Sequence, residues 1–411
     1  MSYNFDQYID RRGTDSAKFD EQDWKYGCTD MIHLGVADMD FRSPEPIIDA
    51  MRGIVERGVF GYTVLPKNYR SLAAEWMKRR YGVEIRPEWA VFSPRINMAM
   101  NMAVETFTSG SDGIVLHTPA YTALQNAIEK YNRPMIESPL ELSYKKDADQ
   151  GGIRQAQESS WHMNLSALRA SLDRARENGT PARMMLFCNP QNPTGRVWRR
   201  RELRQVAELC REYGLLLISD EIHADFIRPG FCFTSMLEFR ELLANRLIVC
   251  NSVTKTFNVP GLILSNLIIP DPSIRRAMES TIDRWGLHNP NIFAAGIMEA
   301  AFTGCDDWIE EVNAYLEGNR LFVEEYLKSH LPKFQVIPSE GTYLLWVSVK
   351  ELHKSPEEIE DFFTRRARVS VYMGSRYGRR TRDFIRLNIA SPRSVLEEAM
   401  ERIREAYAGW S

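Results

Sequence analysis

Apolar residues fall along this chain in two alternating patterns. Short unbroken runs at Gly113–Thr118, Arg183–Cys188, Leu215–Ser219, Leu247–Asn251 and Ile263–Ile269 have the length and content of buried strands. Between them, residues 119–131, 165–178 and 199–213 repeat their apolar positions at helical spacing. In the last of these, Leu203, Val206, Ala207, Cys210 and Tyr213 share one face, and Gly214 stands where a helix stops. Strands apolar throughout and separated by helices predict a mostly parallel sheet covered on both faces, an α/β architecture.

The pattern on either side of this block differs. Pro44 to Arg57 predicts a helix with Ser43 as its N-cap and Pro44 at its first position. Pro66–Arg80 and residues 97–108 predict two more. Residues 1–43 read as irregular chain wrapped over another element. Residues 141–162 interrupt the alternation with a polar, Gly-containing stretch and predict a surface loop. Helices are expected over Pro290–His330, 355–367 and 393–408, with short strands within 334–349 and 368–391. That α+β character places a large domain at 44–289 and a smaller one in 290–411.

Composition narrows the class. With 411 residues the chain is too long for one ordinary core. It has 44% hydrophobic and 26% charged residues and a net charge of −3, with no basic stripe for nucleic acid. No apolar run approaches membrane-spanning length, and the start of the chain has no apolar leader. The six cysteines have no paired spacing, so a reducing, cytoplasmic setting is expected and a metal site is not.

One lysine stands out against this background. Lys255 sits in Ser252-Val253-Thr254-Lys255-Thr256-Phe257-Asn258-Val259-Pro260-Gly261-Leu262, between two apolar strand runs. A lysine is rarely buried, and one held among apolar groups loses basicity and becomes a nucleophilic amine, suited to an aldehyde cofactor. Ser252 and Thr254 are candidate hydrogen-bond donors to a phosphate beside it. Asp220 follows a second apolar strand, at the carboxyl end where open α/β sheets bind ligands. A carboxylate there favours a protonated partner.

These residues, with Val36-Ala37-Asp38-Met39-Asp40-Phe41, Gly58-Val59-Phe60-Gly61-Tyr62-Thr63, Asn189-Pro190-Gln191-Asn192-Pro193-Thr194-Gly195, Ser219-Asp220-Glu221-Ile222-His223 and Arg386-Leu387-Asn388-Ile389-Ala390, resemble the fold-type I pyridoxal phosphate (PLP) enzymes. Within that aminotransferase superfamily the chain looks most like the cystathionine β-lyase-like C–S lyases of the MalY/PatB type. The resemblance implies the aspartate aminotransferase-like fold and assigns residues 1–43 to the small domain. It implies PLP on Lys255, Asp220 at the pyridine nitrogen, Asn192 and His223 at the phenolic oxygen, and Tyr121 stacked on the ring. A lone histidine or a core tyrosine is equally a structural residue. It puts Arg95, Ile96 and Asn97 at the phosphate, Tyr62 at the phosphate of a neighbouring subunit in a homodimer, and Arg386 on the substrate α-carboxylate, with Gly35 and Ala37 beside the substrate.

Two departures accompany the likeness. Arg95-Ile96-Asn97 stands where the family has glycine and two small apolar residues. Gly35 stands where it has tryptophan, which is expected to widen the pocket for a substrate bulkier than cystathionine. The activity implied is β-elimination from an S-substituted L-cysteine to thiol, pyruvate and ammonia. The alternatives are an aminotransferase or a decarboxylating or deaminating enzyme of a specialised pathway. A ligand-sensing regulatory protein is a third reading, against which an intact Lys255, Asp220 and Arg386 weigh.

Overall fold

A computed structural model describes residues 3–143 and 161–410. Its centre is an eight-stranded sheet. From edge to edge the strands are Ala90–Ser93, Ser265–Ile268, Leu247–Asn251, Leu216–Asp220, Ala182–Cys188, Gly113–Thr118, Met135–Leu142 and Trp161–Met163. The five from Leu247–Asn251 to Met135–Leu142 run parallel to one another. Alternate residues of each central strand enter opposite cores. Val115, Met185, Phe187, Leu217 and Val249 pack on one side, and Ile114, Met184, Leu186, Ile218 and Ile248 on the other. A strand buried on both faces has no polar alternation, which is why these runs are continuous in the sequence.

The helix Arg200–Tyr213 buries Leu203, Val206, Ala207 and Cys210 and ends at Gly214, whose φ of 65° is left-handed. The helix predicted over Pro44–Arg57 begins one residue later. It spans Glu45–Arg57, with Pro44 rather than Ser43 at the N-cap and Pro46 in the first turn. Pro44 is extended, and the Ser43 hydroxyl donates instead to the Asn258 carbonyl at 3.3 Å.

The predicted strand Ile263–Ile269 is shorter and reversed in sense. Pro260–Leu262 forms a turn, Ile263 has φ of 58°, and only Ser265–Ile268 pairs, antiparallel to both neighbours. A connection without a crossover helix returns the chain antiparallel. The strands Ala90–Ser93 and Met135–Leu142 and the helix Pro272–Arg284 were absent from the sequence pattern. Of the interruption at 141–162, the two ends belong to an antiparallel pair, Leu140–Leu142 with Trp161–Met163. Residues 144–160 lie outside the described residues.

A second sheet is antiparallel, in the order Gln335–Ile337, Leu344–Ser348, Phe384–Asn388, Tyr372–Met373. The early chain is less irregular than its composition implies: it holds the helix Asp20–Tyr26 and a strand, Ile32–His33, paired with Val369–Ser370. Asn388 Nδ2 donates to the carbonyls of Val36 and Asp38 at 2.7 and 2.6 Å, and Asn258 Nδ2 to those of Met39 and Phe41 at 2.9 and 2.8 Å. These two amides hold residues 36–41 against both sheets. Beneath them, buried Lys18 pairs with Asp40 at 2.7 Å.

Candidate active site

Three neighbouring strands of the large sheet end at one cavity of about 170 Å³. Leu216–Asp220 delivers Asp220 to it, Ala182–Cys188 leads to Asn192, and Leu247–Asn251 leads into the short helix that carries Lys255. Ser252 caps that helix by accepting from the Thr254 N–H at 3.1 Å. Its own hydroxyl donates to Leu264 O at 2.6 Å, so in the 2.6 Å contact between the two hydroxyls Thr254 Oγ1 donates to Ser252 Oγ.

Lys255 Nζ donates to the carbonyl of Ala37. Burial pulls its ammonium down to about 8, opposed by Asp38, reinforced by Arg386 and opposed again by Asp220. Burial likewise raises Asp220 to about 6, against the Ile222 N–H and the Lys255 charge. Its carboxylate accepts from Ile222 N at 3.2 Å and pairs with no cation among the described residues. His223 is held neutral, its imidazole lowered to about 3 by burial and then by Lys255 and Arg386. His223 Nδ1 is buried without a partner.

The wall opposite the strands is the start of the helix Ile96–Phe107. Arg95 occupies its N-cap with no side-chain cap, and Arg95, Ile96 and Asn97 all line the cavity. The first amides of a helix have no partner within it and favour an anion. Tyr121 lines the cavity from the start of the helix Thr122–Glu129.

Of the residues singled out in the sequence, Ala37, Arg95, Ile96, Asn97, Tyr121, Asn192, Asp220, His223, Ser252, Thr254 and Lys255 come together here. Arg386 stands just behind them. It is 1% exposed, donates to Asn192 Oδ1 at 3.0 Å and to Gly35 O at 2.7 Å, and its Nε has no partner. Tyr62 lies apart, fully exposed on the extended stretch after Gly58.

Gly35 corrects an expectation. It does not open the cavity, because a Cβ there would meet Cδ1 of Tyr372 at 2.8 Å. An aromatic ring fills that space from elsewhere in the chain.

The profile of the family "Aminotransferase class I and II" matches residues 29–403. The chain belongs to this family. Among its class I and II relatives, the chain is 32% identical to cystathionine β-lyase PatB of Bacillus subtilis, over 98% of this chain and 99% of that one. It is 30% identical to protein MalY of Escherichia coli, over 97% of both. Among solved structures, cystalysin from Treponema denticola, which contains pyridoxal 5′-phosphate, superposes with a TM-score of 0.91 at 28% identity, covering all of both chains. The architecture is the aspartate aminotransferase-like fold of this family.

Sequence reasoning missed three contributors. The Tyr343 hydroxyl donates to Ala37 O at 3.0 Å, beside Lys255. Tyr372 covers Gly35, and Asn388 holds the 36–38 backbone. Asn388 lies within a stretch that carries the family likeness, two residues from Arg386, and that nearness was the available signal.

Proposed function

We propose that this chain is a PLP-dependent carbon–sulfur β-lyase, cleaving an S-substituted L-cysteine to a thiol, pyruvate and ammonia. The observation that carries the reading is one cavity holding a buried amine of lowered basicity, Lys255, and a buried carboxylate without a cation, Asp220. Each lacks what the cofactor brings.

The residues fit PLP. A protonated ring nitrogen supplies the positive charge that Asp220 lacks. The unpartnered Nδ1 of His223 and the amide of Asn192 suit a phenolic oxygen. The open start of the helix Ile96–Phe107 and Arg95 suit a phosphate, with Thr254 beside them in the cavity lining. Tyr121 offers a ring face. Bound PLP supplies an aldehyde for the substrate amine and an electron-withdrawing ring that stabilises negative charge at Cα.

The chain's own groups do the rest. Arg386 is a buried cation with only neutral acceptors, and it orients the substrate by its α-carboxylate. Asn192 holds that guanidinium in place. Lys255 Nζ, neutral above about pH 8, takes the Cα proton. Asp220 stays ionised at neutral pH and balances the positive charge opposite it. The thiol then departs from Cβ.

The chain works as a homodimer, with Tyr62 reaching the phosphate in the partner's site. Support comes from Tyr62 itself, fully exposed, and from Val59, Phe60 and Val64, which are 74%, 59% and 74% exposed along the same stretch. The partition into a large domain, 44–289, and a small domain, 1–43 with 290–411, is supported by the separation of the eight-stranded sheet from the four-stranded one and from the pair Ile32–His33 with Val369–Ser370. All six cysteines are free, which suits a reducing cytoplasm. Among the described residues no helix is long and apolar enough to cross a membrane.

Cystathionine and other cysteine S-conjugates test the reading, with pyruvate scored against keto-acid exchange. Pyruvate and free thiol in equal amounts are expected. A Lys255→Ala variant should lose visible absorbance and at least about 100-fold in turnover, the scale of a lost proton-transfer group. Keto-acid exchange without thiol release would replace the lyase with a transaminase.

A further inference from the structure

Two guanidinium groups share one ring beside the cavity. Arg376 Cζ lies 4.2 Å from the centroid of Tyr372 and Arg386 Cζ lies 5.0 Å from it, so the two cations stand within about 9 Å of each other. Among the described residues neither forms an ion pair with a carboxylate. Arg386 has only the uncharged acceptors Asn192 and Gly35, and Arg376 is exposed.

The turn that carries Arg376 is fixed to the cavity wall. Arg376 O accepts from Gln125 Nε2 at 3.3 Å and from Thr122 Oγ1 at 3.4 Å. Tyr377 O accepts from Ala120 N at 2.8 Å. Arg376 is thus tied to both sides of Tyr121, whose phenol lines the cavity. Gly374 holds the turn tight, since a Cβ there would stand 1.9 Å from Thr381 O. The backbone under Arg376 has little freedom to carry the charge away.

Two like charges without counter-ions are complementary to a molecule with two anionic groups. We propose that Arg376 is a specificity-determining residue that receives a second carboxylate, borne by the sulfur substituent, while Arg386 holds the α-carboxylate. The preferred substrates are then S-(carboxyalkyl)-type cysteine conjugates. In S-(2-carboxyethyl)-L-cysteine six bonds separate the carboxyl carbons, an extended span of about 7 Å at roughly 1.2 Å per bond. That span falls within the upper limit of about 9 Å that the shared ring sets on the separation of the two cations. This inference rests on the lyase reading and adds the substrate class to it.

The test compares S-(2-carboxyethyl)-L-cysteine with its neutral isostere, S-(2-carbamoylethyl)-L-cysteine. Pyruvate formation is measured as kcat and KM in the holoenzyme and in its Arg376→Met and Arg376→Lys variants. The wild type should favour the acid in kcat/KM by about tenfold or more, the scale of one charge-assisted contact. The difference should lie mainly in KM. Arg376→Met should bring the acid-to-amide ratio close to one, and Arg376→Lys should keep part of it. A wild type that treats both compounds alike, or an Arg376→Met variant that loses the same factor on both, overturns the assignment. If neither compound yields pyruvate in the wild type while both bind, the lyase reading itself fails, and the substrate class falls with it.

Discussion

Lys255 is reactive because of where it is held. Desolvation lowers its ammonium to about 8, and Asp38 limits the fall. Only the neutral amine attacks an aldehyde, and the neutral fraction grows as pH rises through that value. The rate at which cofactor-free protein captures added PLP should therefore climb from pH 6.5, pass its midpoint near pH 8 and level off about one unit above that. Stopped-flow absorbance reads it, and a rate flat across that range would mean that the lysine is not the titrating group. At this scale the sequence was a good guide to the charged residues. A lysine and an aspartate set among apolar strands are conspicuous, and Lys255 and Asp220 could be named before any geometry; Arg386 was named only through the family likeness of Arg386-Leu387-Asn388-Ile389-Ala390. Tyr343 and Tyr372 could not, because a tyrosine in an apolar stretch looks like core. Their roles come from contacts with residues 37 and 35, far away along the chain.

At the level of elements, the segment around Gly35 is set by the strand pair Tyr372–Met373 with Phe384–Asn388. The ring of Tyr372 lies over Gly35 and contacts the guanidinium of Arg386. Gly35→Trp must displace that ring, and with it Arg386, the arginine proposed to orient the substrate. The expected result is a loss in kcat/KM of up to about 100-fold that is similar for small and bulky S-conjugates, since a shift near 1 Å at an orienting group is enough. Steady-state assays with one of each would show it. A penalty confined to the bulky compound would restore Gly35 to the pocket wall. The parallel strands were legible because burial on both faces leaves a continuous apolar run. Ala90–Ser93 was not, being only four residues long, and neither was the direction of Ser265–Ile268. Strand sense depends on what the intervening chain does, and in Pro260–Ile263 a turn and a left-handed residue reverse it.

For the molecule as a whole, the stretch after Gly58 is the most exposed apolar run among the described residues. Val59, Phe60, Tyr62 and Val64 follow one another on the surface, and among the described residues only Phe60 has a ring neighbour, Phe293, with centroids 6.3 Å apart. Single chains seldom leave such a strip in water. The double variant Val59→Asp, Phe60→Asp should sediment as a monomer at concentrations where the parent is a dimer, and should lose activity together with mass. A parent that sediments as a monomer would remove Tyr62 from any shared site. The bond from Arg386 to the carbonyl of Gly35 joins residues 351 positions apart. A ribosome makes the amino-terminal residue first, so the nascent chain carries Lys255 well before Arg386. A message cut short ahead of Phe384–Asn388 would lack both Arg386 and the Asn388 amide that holds residues 36–38 beside Lys255, so the setting of a lysine made midway through synthesis is completed only when the last stretch of chain emerges.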